Sequence, residues 1–250
     1  MAKRRKVIRA GDLVSEVIYT APQPRDNERT RAAKHRATCE AQKLQNKKRQ
    51  WQRAMLLIAA NFNPYGYFVT LTFDEEHRPE SRAAVKTYMR RYWRLLRAAR
   101  RARGDELRYM YAIEDKHEKG RLHVHALING SGAHDYEDLR SLWQFGADID
   151  IKPVERDRII ELARYFTKEE KPVGDKSWIC SQNLIQPVYE SSFVPDSTTL
   201  EIPPGAAILE QSKTGAAYYG GGASCEYAFY WKPQHVHRVK AHAARYRKRA

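Results

Sequence analysis

The sequence is short of cysteine, of acid and of long apolar runs, and each shortage removes a class of protein. Its three cysteines, Cys39, Cys180 and Cys225, form an odd set without CxxC spacing, which argues against a disulfide framework and a thiolate zinc site and leaves ordinary reduced thiols. No apolar run approaches the roughly 20 residues that span a bilayer, and the basic start lacks the apolar stretch of a secretory signal. The expectation is an intracellular protein of the cytoplasm, associated with the nucleoid and without a membrane partner. No GxxxxGK[ST] phosphate loop occurs, so no nucleotide-driven motor is expected. Asp and Glu number 30 against 45 Lys and Arg, a formal net charge of +15. Such an imbalance predicts a polyanionic partner.

The cations that are present cluster in Met1–Arg53, in Arg90–Arg103 and in the last dozen of the 250 residues, a distribution that suits a nucleic-acid backbone. Arg49, Arg53, Arg90, Arg91, Arg94 and Arg97 are the candidate DNA contacts. From Arg25 to Ala60 the chain is rich in Ala, Arg, Lys and Gln and free of Pro and Gly, which predicts one long or two shorter basic helices. Asn63-Pro64-Tyr65-Gly66 interrupts the chain before a run of strand formers, Tyr67–Phe73. Pro79-Glu80-Ser81 opens a helix with Val85, Tyr88, Met89, Tyr92, Leu95 and Leu96 at helical spacing, and Gly104 ends it. Arg108–Glu114 and Leu122–Asn129 read as an antiparallel hairpin. Asp135 caps a short helix to Phe145, Asp148–Val154 alternates as a strand, and Asp157 caps a helix through Lys168. The order β-α-β-β-α-β-α predicts an α+β fold, a mostly antiparallel sheet with helices packed on one face. Three segments are expected: a basic helical N-terminal extension (1–60), a core (61–171) and a C-terminal extension with a basic tail (172–250).

His123 and His125 are two apart in an apolar strand, so both imidazoles project from one face. If residue 114 pairs with residue 123, Glu114 stands opposite His123 on that face and Ala112 opposite His125. Two imidazoles and a carboxylate suit a divalent ion, Mg²⁺ or Mn²⁺, which can polarise the oxygens of a phosphate under attack. His235-Val236-His237 repeats the pattern in a basic setting without an acidic strand partner, and reads as solvated or DNA-contacting. On the helix after Asp157, Ile159, Leu162, Ala163 and Phe166 form the apolar stripe. Tyr165 lies off it, sharing a polar side with Arg158, Glu161 and Lys168. A phenol is a poor nucleophile at neutral pH, but a nearby cation such as Lys168 can make it competent. Glu161 either orients the phenol or Lys168, or forms a surface pair of no consequence.

Together these segments resemble the HUH endonuclease superfamily, and in particular the rolling-circle replication initiators of plasmids and single-stranded DNA phages. The strand Phe68–Phe73, the pair His123-Val124-His125 and Tyr165-Phe166-Thr167-Lys168, a YxxK pattern, occur in that family's order, and Ser177–Val188 is similar to its flanking parts. The resemblance implies an RRM/ferredoxin-like core, a divalent metal held by Glu114, His123 and His125, and Tyr165 as the nucleophile that nicks and religates single-stranded origin DNA through a 5′-phosphotyrosine. Relatives with two tyrosines carry the second one turn away, where this chain has Glu161, Leu162 and Glu169, so a single-tyrosine enzyme is implied. Unwinding and synthesis would fall to a separate helicase and polymerase of the host. Two alternatives share much of the pattern. A single-strand transposase or relaxase would use the same chemistry, although relaxases place the tyrosine before the histidines. A non-catalytic single-strand-binding protein would share the basic, aromatic sheet but have no need of Glu114.

Overall fold

Side chains alternate between the two faces of a strand, and that alternation sorts this chain into two sheets. The computed structural model describes residues 3–20, 40–62, 65–114, 121–146, 148–168, 177–212 and 225–233, with 40–45 described by their backbone alone. The elements are β1 (Lys3–Ala10), β2 (Leu13–Thr20), α1 (Glu40–Asn61), β3 (Tyr67–Leu71), α2 (Arg82–Ala102), β4 (Tyr109–Glu114), β5 (His123–Ile128), α3 (Asp135–Ser141), β6 (Ile149–Pro153), α4 (Ile159–Phe166), β7 (Ile179–Cys180), β8 (Val188–Val194), β9 (Ala207–Gln211) and β10 (Cys225–Trp231). One sheet has the order β8-β1-β2-β10-β9, the other β6-β3-β5-β4-β7. Every pairing in both is antiparallel.

The second sheet carries the predicted order. Because β5 is antiparallel to both β3 and β4, those two strands run parallel, with α2 crossing between them and β5 inserted in the gap. This is the split βαβ of a ferredoxin-like fold. Helix α2 begins where Ser81 accepts a hydrogen bond from the Ala84 N–H (3.2 Å) and ends at Gly104, whose φ of 83° suits the residue past a helix end. Its buried side, Val85, Met89, Tyr92, Trp93 and Leu96, packs on Val69, Leu71, Tyr111, Ile113, Val124, Ala126 and Ile128.

The expected arrangement of helices on one face needs correction, since helices cover both. Helices α1 and α4 lie on the side opposite α2, where Met55, Ile58, Ile159, Ala163 and Phe166 meet Met110 and Leu127. The same core continues into the first sheet through Ile8, Leu13, Val17, Phe229 and Trp231. An apolar side on α1 and another on α4 demanded this, because each must be buried against a sheet.

The basic helical extension over 1–60 is also corrected in part. Glu40–Asn61 is helical, but Lys3–Thr20 forms a hairpin that turns at Gly11 with φ of 59°. Its basic composition masked a period-two pattern in which Ile8, Leu13 and Val17 face one core and Val7 and Val14 the other. Asp135 does not cap α3 with its side chain. Buried, it accepts from the N–H groups of Ser131 (2.6 Å) and Gly132 (3.0 Å) and pairs with Arg100 (2.9 Å). Helix α3 stops at Ser141, short of Phe145. Asp157 lies in a 3-10 turn, Arg156–Arg158, and makes no capping bond to α4. His235 and His237, Arg25–Cys39 and the connection 115–120 lie outside the described residues.

Arg100, within the basic run of α2, is wholly buried; besides Asp135 it donates to Asn129 Oδ1 (2.8 Å). The pair fastens the end of α2 to the end of β5 and the start of α3. Burial would raise the Asp135 carboxyl, yet the hydrogen bonds from Ser131 and Gly132, with the charge of Arg100, hold it below the usual carboxylate range. Arg100→Ala should therefore lower stability by about 3–5 kcal/mol in urea titrations, since it leaves a buried charge uncompensated. In the wild type the contribution of Asp135 is complete above the unfolded aspartate range and is lost as acid takes the pH down through the lowered folded value.

Candidate active site

The hairpin register brings the first groups together. Glu114 pairs with His123 and Ala112 with His125, as the spacing predicts, so the carboxylate and both imidazoles project toward α4 on the face opposite α2. The nitrogens and the carboxylate oxygen lie within 4.8 Å of one another, the one group of its kind among the described residues. Glu114 Oε2 is 2.9 Å from His125 Nε2 and 3.3 Å from His123 Nε2. Glu114 and His125 are buried, His123 partly so.

Helix α4 supplies the rest. Its apolar residues Ile159, Ala163 and Phe166 are buried in the core, which turns Tyr165 toward the hairpin. The phenol donates to Glu114 Oε2 at 2.6 Å and lies 2.7 Å from His125 Nε2. Lys168, just past the helix end, puts Nζ 2.5 Å from Glu114 Oε1 and 4.0 Å from the centroid of the Tyr165 ring. All five residues singled out in the sequence, Glu114, His123, His125, Tyr165 and Lys168, thus meet in one cluster. Glu161 does not join them; it is exposed and pairs with Arg158 (3.0 Å).

Two neighbours escaped the sequence reading. Phe68 lies parallel to the His125 ring at 5.6 Å between centroids and edge-on to Tyr165 at 6.0 Å. Thr70 Oγ1 is 3.2 Å from His125 Nδ1. Both sit at alternate positions of β3, opposite Leu127 and His125 of β5; the signal was the alternation itself, which the continuous apolar and threonine run obscured. With a proton on Nδ1, His125 donates to Thr70 and His123 to the Arg121 carbonyl (3.3 Å), and each Nε2 then turns a lone pair to the centre.

Electrostatics favours a cation here. Burial would raise the Glu114 carboxyl, but hydrogen bonds from Lys168 and Tyr165 and the Lys168 charge overcome it and hold the group down to about 2. Burial, helped by the neighbouring His123, pushes the His125 imidazole down to about 4 despite the Glu114 charge. At neutral pH the site therefore offers an ionised carboxylate and a neutral imidazole, the forms that ligate metal. Two nitrogens, one oxygen and a phenol at their edge fit a divalent ion with open coordination positions. A groove of about 440 Å³ between β6 and α4 opens onto His125 and Tyr165, lined also by Phe68, Thr70, Lys152 and Arg158, with Lys152 paired to Asp150 (2.6 Å) and Arg158 to Glu161 (3.0 Å).

Residues 66–170 match a family model of replication-associated proteins, of the ORF2 type. The matched segment runs from β3 through α4 and contains all five clustered residues. No curated protein and no solved structure matches the chain. Among the described residues, no helix is long and apolar enough to cross a membrane.

The arginines expected to touch DNA are divided by the sheet. Arg90, Arg91, Arg94 and Arg97 are exposed on α2, behind the sheet from the cluster; Arg91 donates to Gln144 (3.0 Å) and Arg90 to the Lys86 carbonyl (3.3 Å). Arg49 and Arg53 are exposed on α1, the helix that packs beside α4. If the three donors share one ion, Mn²⁺ should raise the melting temperature of the wild type, and go on raising it with the logarithm of its concentration above the dissociation constant. The His123→Ala chain, altered at a partly exposed position, should melt like the ion-free wild type and lose that shift, as read by calorimetry.

Proposed function

We propose that this protein is a metal-dependent HUH nickase that initiates rolling-circle replication, cutting single-stranded origin DNA through Tyr165. One observation carries the reading: a phenolic oxygen lies 2.6 and 2.7 Å from two members of a Glu/His/His donor set. The likeness of residues 66–170 to a replication-associated family supports DNA as the substrate.

In this reading Glu114, His123 and His125 hold Mg²⁺ or Mn²⁺, which when bound supplies positive charge to the oxygens of the scissile phosphate. Thr70 and the Arg121 carbonyl fix the imidazole rings, and Phe68 walls the His125 and Tyr165 rings into one orientation. The groove between β6 and α4 admits the strand, whose phosphates would draw Lys152 and Arg158 from their pairs with Asp150 and Glu161. Tyr165 Oη attacks phosphorus and the bond to the 3′ oxygen breaks, leaving a 5′ phosphotyrosine and a 3′ hydroxyl. The proton balance is internal, since the phenol loses the proton that the 3′ oxygen gains. Lys168 stabilises the charge that develops around the phenolic oxygen and phosphate. Stored in the phosphotyrosine, the bond energy lets a later 3′ hydroxyl reseal the strand without a nucleotide cofactor. A separate helicase and polymerase complete the replication cycle.

Incubation with 3′-end-labelled single-stranded origin DNA and Mn²⁺ should leave label on denatured wild-type protein, because the segment 3′ of the nick is the one held by the phosphotyrosine. Tyr165→Phe should give none, chelation should suppress it, and Lys168→Met should slow it on the order of 10²-fold. Binding without an adduct at any sequence of the origin region would identify a passive single-strand binder instead.

A further inference from the structure

Strands β1 and β8 form one edge of the first sheet, and their register puts Arg4 opposite Phe193, Lys6 opposite Ser191 and Ile8 opposite Tyr189. These six side chains share a face. At Ile8 that face is still core, but it emerges toward Lys3: Arg4 and Lys6 are half-buried, while Tyr189 is 56% and Phe193 67% exposed. Each ring has its own cation. The Arg4 guanidinium lies 4.8 Å from the Phe193 centroid and the Lys6 ammonium 5.4 Å from that of Tyr189. No acidic side chain of β1, β2 or β8 projects from this face, because Glu190 alternates to the other side, where it pairs with Arg9, and Glu16 alternates there too, against Arg5.

We propose that this face is a second nucleic-acid surface, which holds single-stranded DNA by stacking bases on Tyr189 and Phe193 while Arg4 and Lys6 meet the phosphates. Exposed rings paired with cations on a sheet are what unpaired bases and their backbone require. Four residues apart on a strand, the rings stand about 13 Å from each other, so each takes its own base. Base pairs of a duplex would present no free face to them. A second copy of the chain would bring the same cations to the contact. This surface lies on a different sheet from the Glu114 cluster and shares with the nickase reading only the class of ligand.

The test is fluorescence anisotropy of a labelled oligothymidylate in EDTA, an assay that contains neither metal nor origin sequence and so does not depend on Tyr165 chemistry. Tyr189→Ala and Phe193→Ala should each weaken binding roughly 5- to 100-fold, whereas Tyr189→Phe and Phe193→Tyr, which keep a ring, should bind as the wild type does. Changing Arg4 and Lys6 together to Gln should reduce the slope of log affinity against log salt by about 1.4. Wild-type affinity in the alanine variants would overturn the proposal, as would a loss that the ring-keeping variants share. A lower molar mass of the alanine variants by light scattering, with affinity unchanged, would overturn it in favour of self-association.

Discussion

One buried carboxylate holds three parts of this protein in a common geometry. Glu114 is supplied by β4, faces two imidazoles of β5, and receives both the phenol and the ammonium of the α4 segment. An ionised carboxylate at 3% exposure is sustained only because those partners repay its lost hydration. Hydrogen bonds from Lys168 and Tyr165, with the Lys168 charge, hold the carboxyl down to about 2 against its burial. The chemistry follows from the same contacts. The group that could hold a metal also orients the phenol, so the proposed nucleophile and ion would be referred to the same carboxylate. Such preorganisation avoids reorganisation cost at the moment of attack.

The scaffold makes that convergence inevitable once the strands pair. In a split βαβ, β5 lies between two parallel strands, so residues at 123 and 125 are central and backed by Phe68 and Thr70 of β3. Helix α2 seals the opposite face, and the Arg100–Asp135–Asn129 network fixes its end. Helix α4 is trapped between the sheets with α1, which denies Tyr165 any freedom to turn away. Groups carried on strands and a packed helix are positioned better than a loop could position them.

Much of this was legible because local periodicity and tertiary placement agree. Apolar residues alternate through Leu122–Ile128, and a one-residue slip would have put both histidines in the α2 core; the register of Glu114 with His123 follows. Tyr165 is off the apolar stripe of its helix for an equally local reason. The first sheet was not legible. β1 reads as a cationic run, β8 is exposed on both faces and so shows no hydrophobic pattern, and β1 finds β8, and β2 finds β10, only across most of the chain. Arg100 was hidden by its neighbours: four residues after Leu96 it continues the buried stripe, yet it sits among surface arginines. The α2 arginines lie on the far side of the sheet from the cluster, since charge marks a polyanion but not which side of a sheet it approaches.

Two kinds of DNA contact are proposed on this arrangement, one at the scissile phosphate and one spread over an aromatic and cationic sheet edge. The proposed activity rests on the first, and it depends on the identity of one atom. Digesting the covalent complex with nuclease and protease and sequencing the modified peptide by mass spectrometry tests it most directly. The account predicts a nucleotide 5′-phosphate on the oxygen of Tyr165. Modification of any other residue, or an unmodified Tyr165 peptide from protein that has cut its DNA, would contradict it.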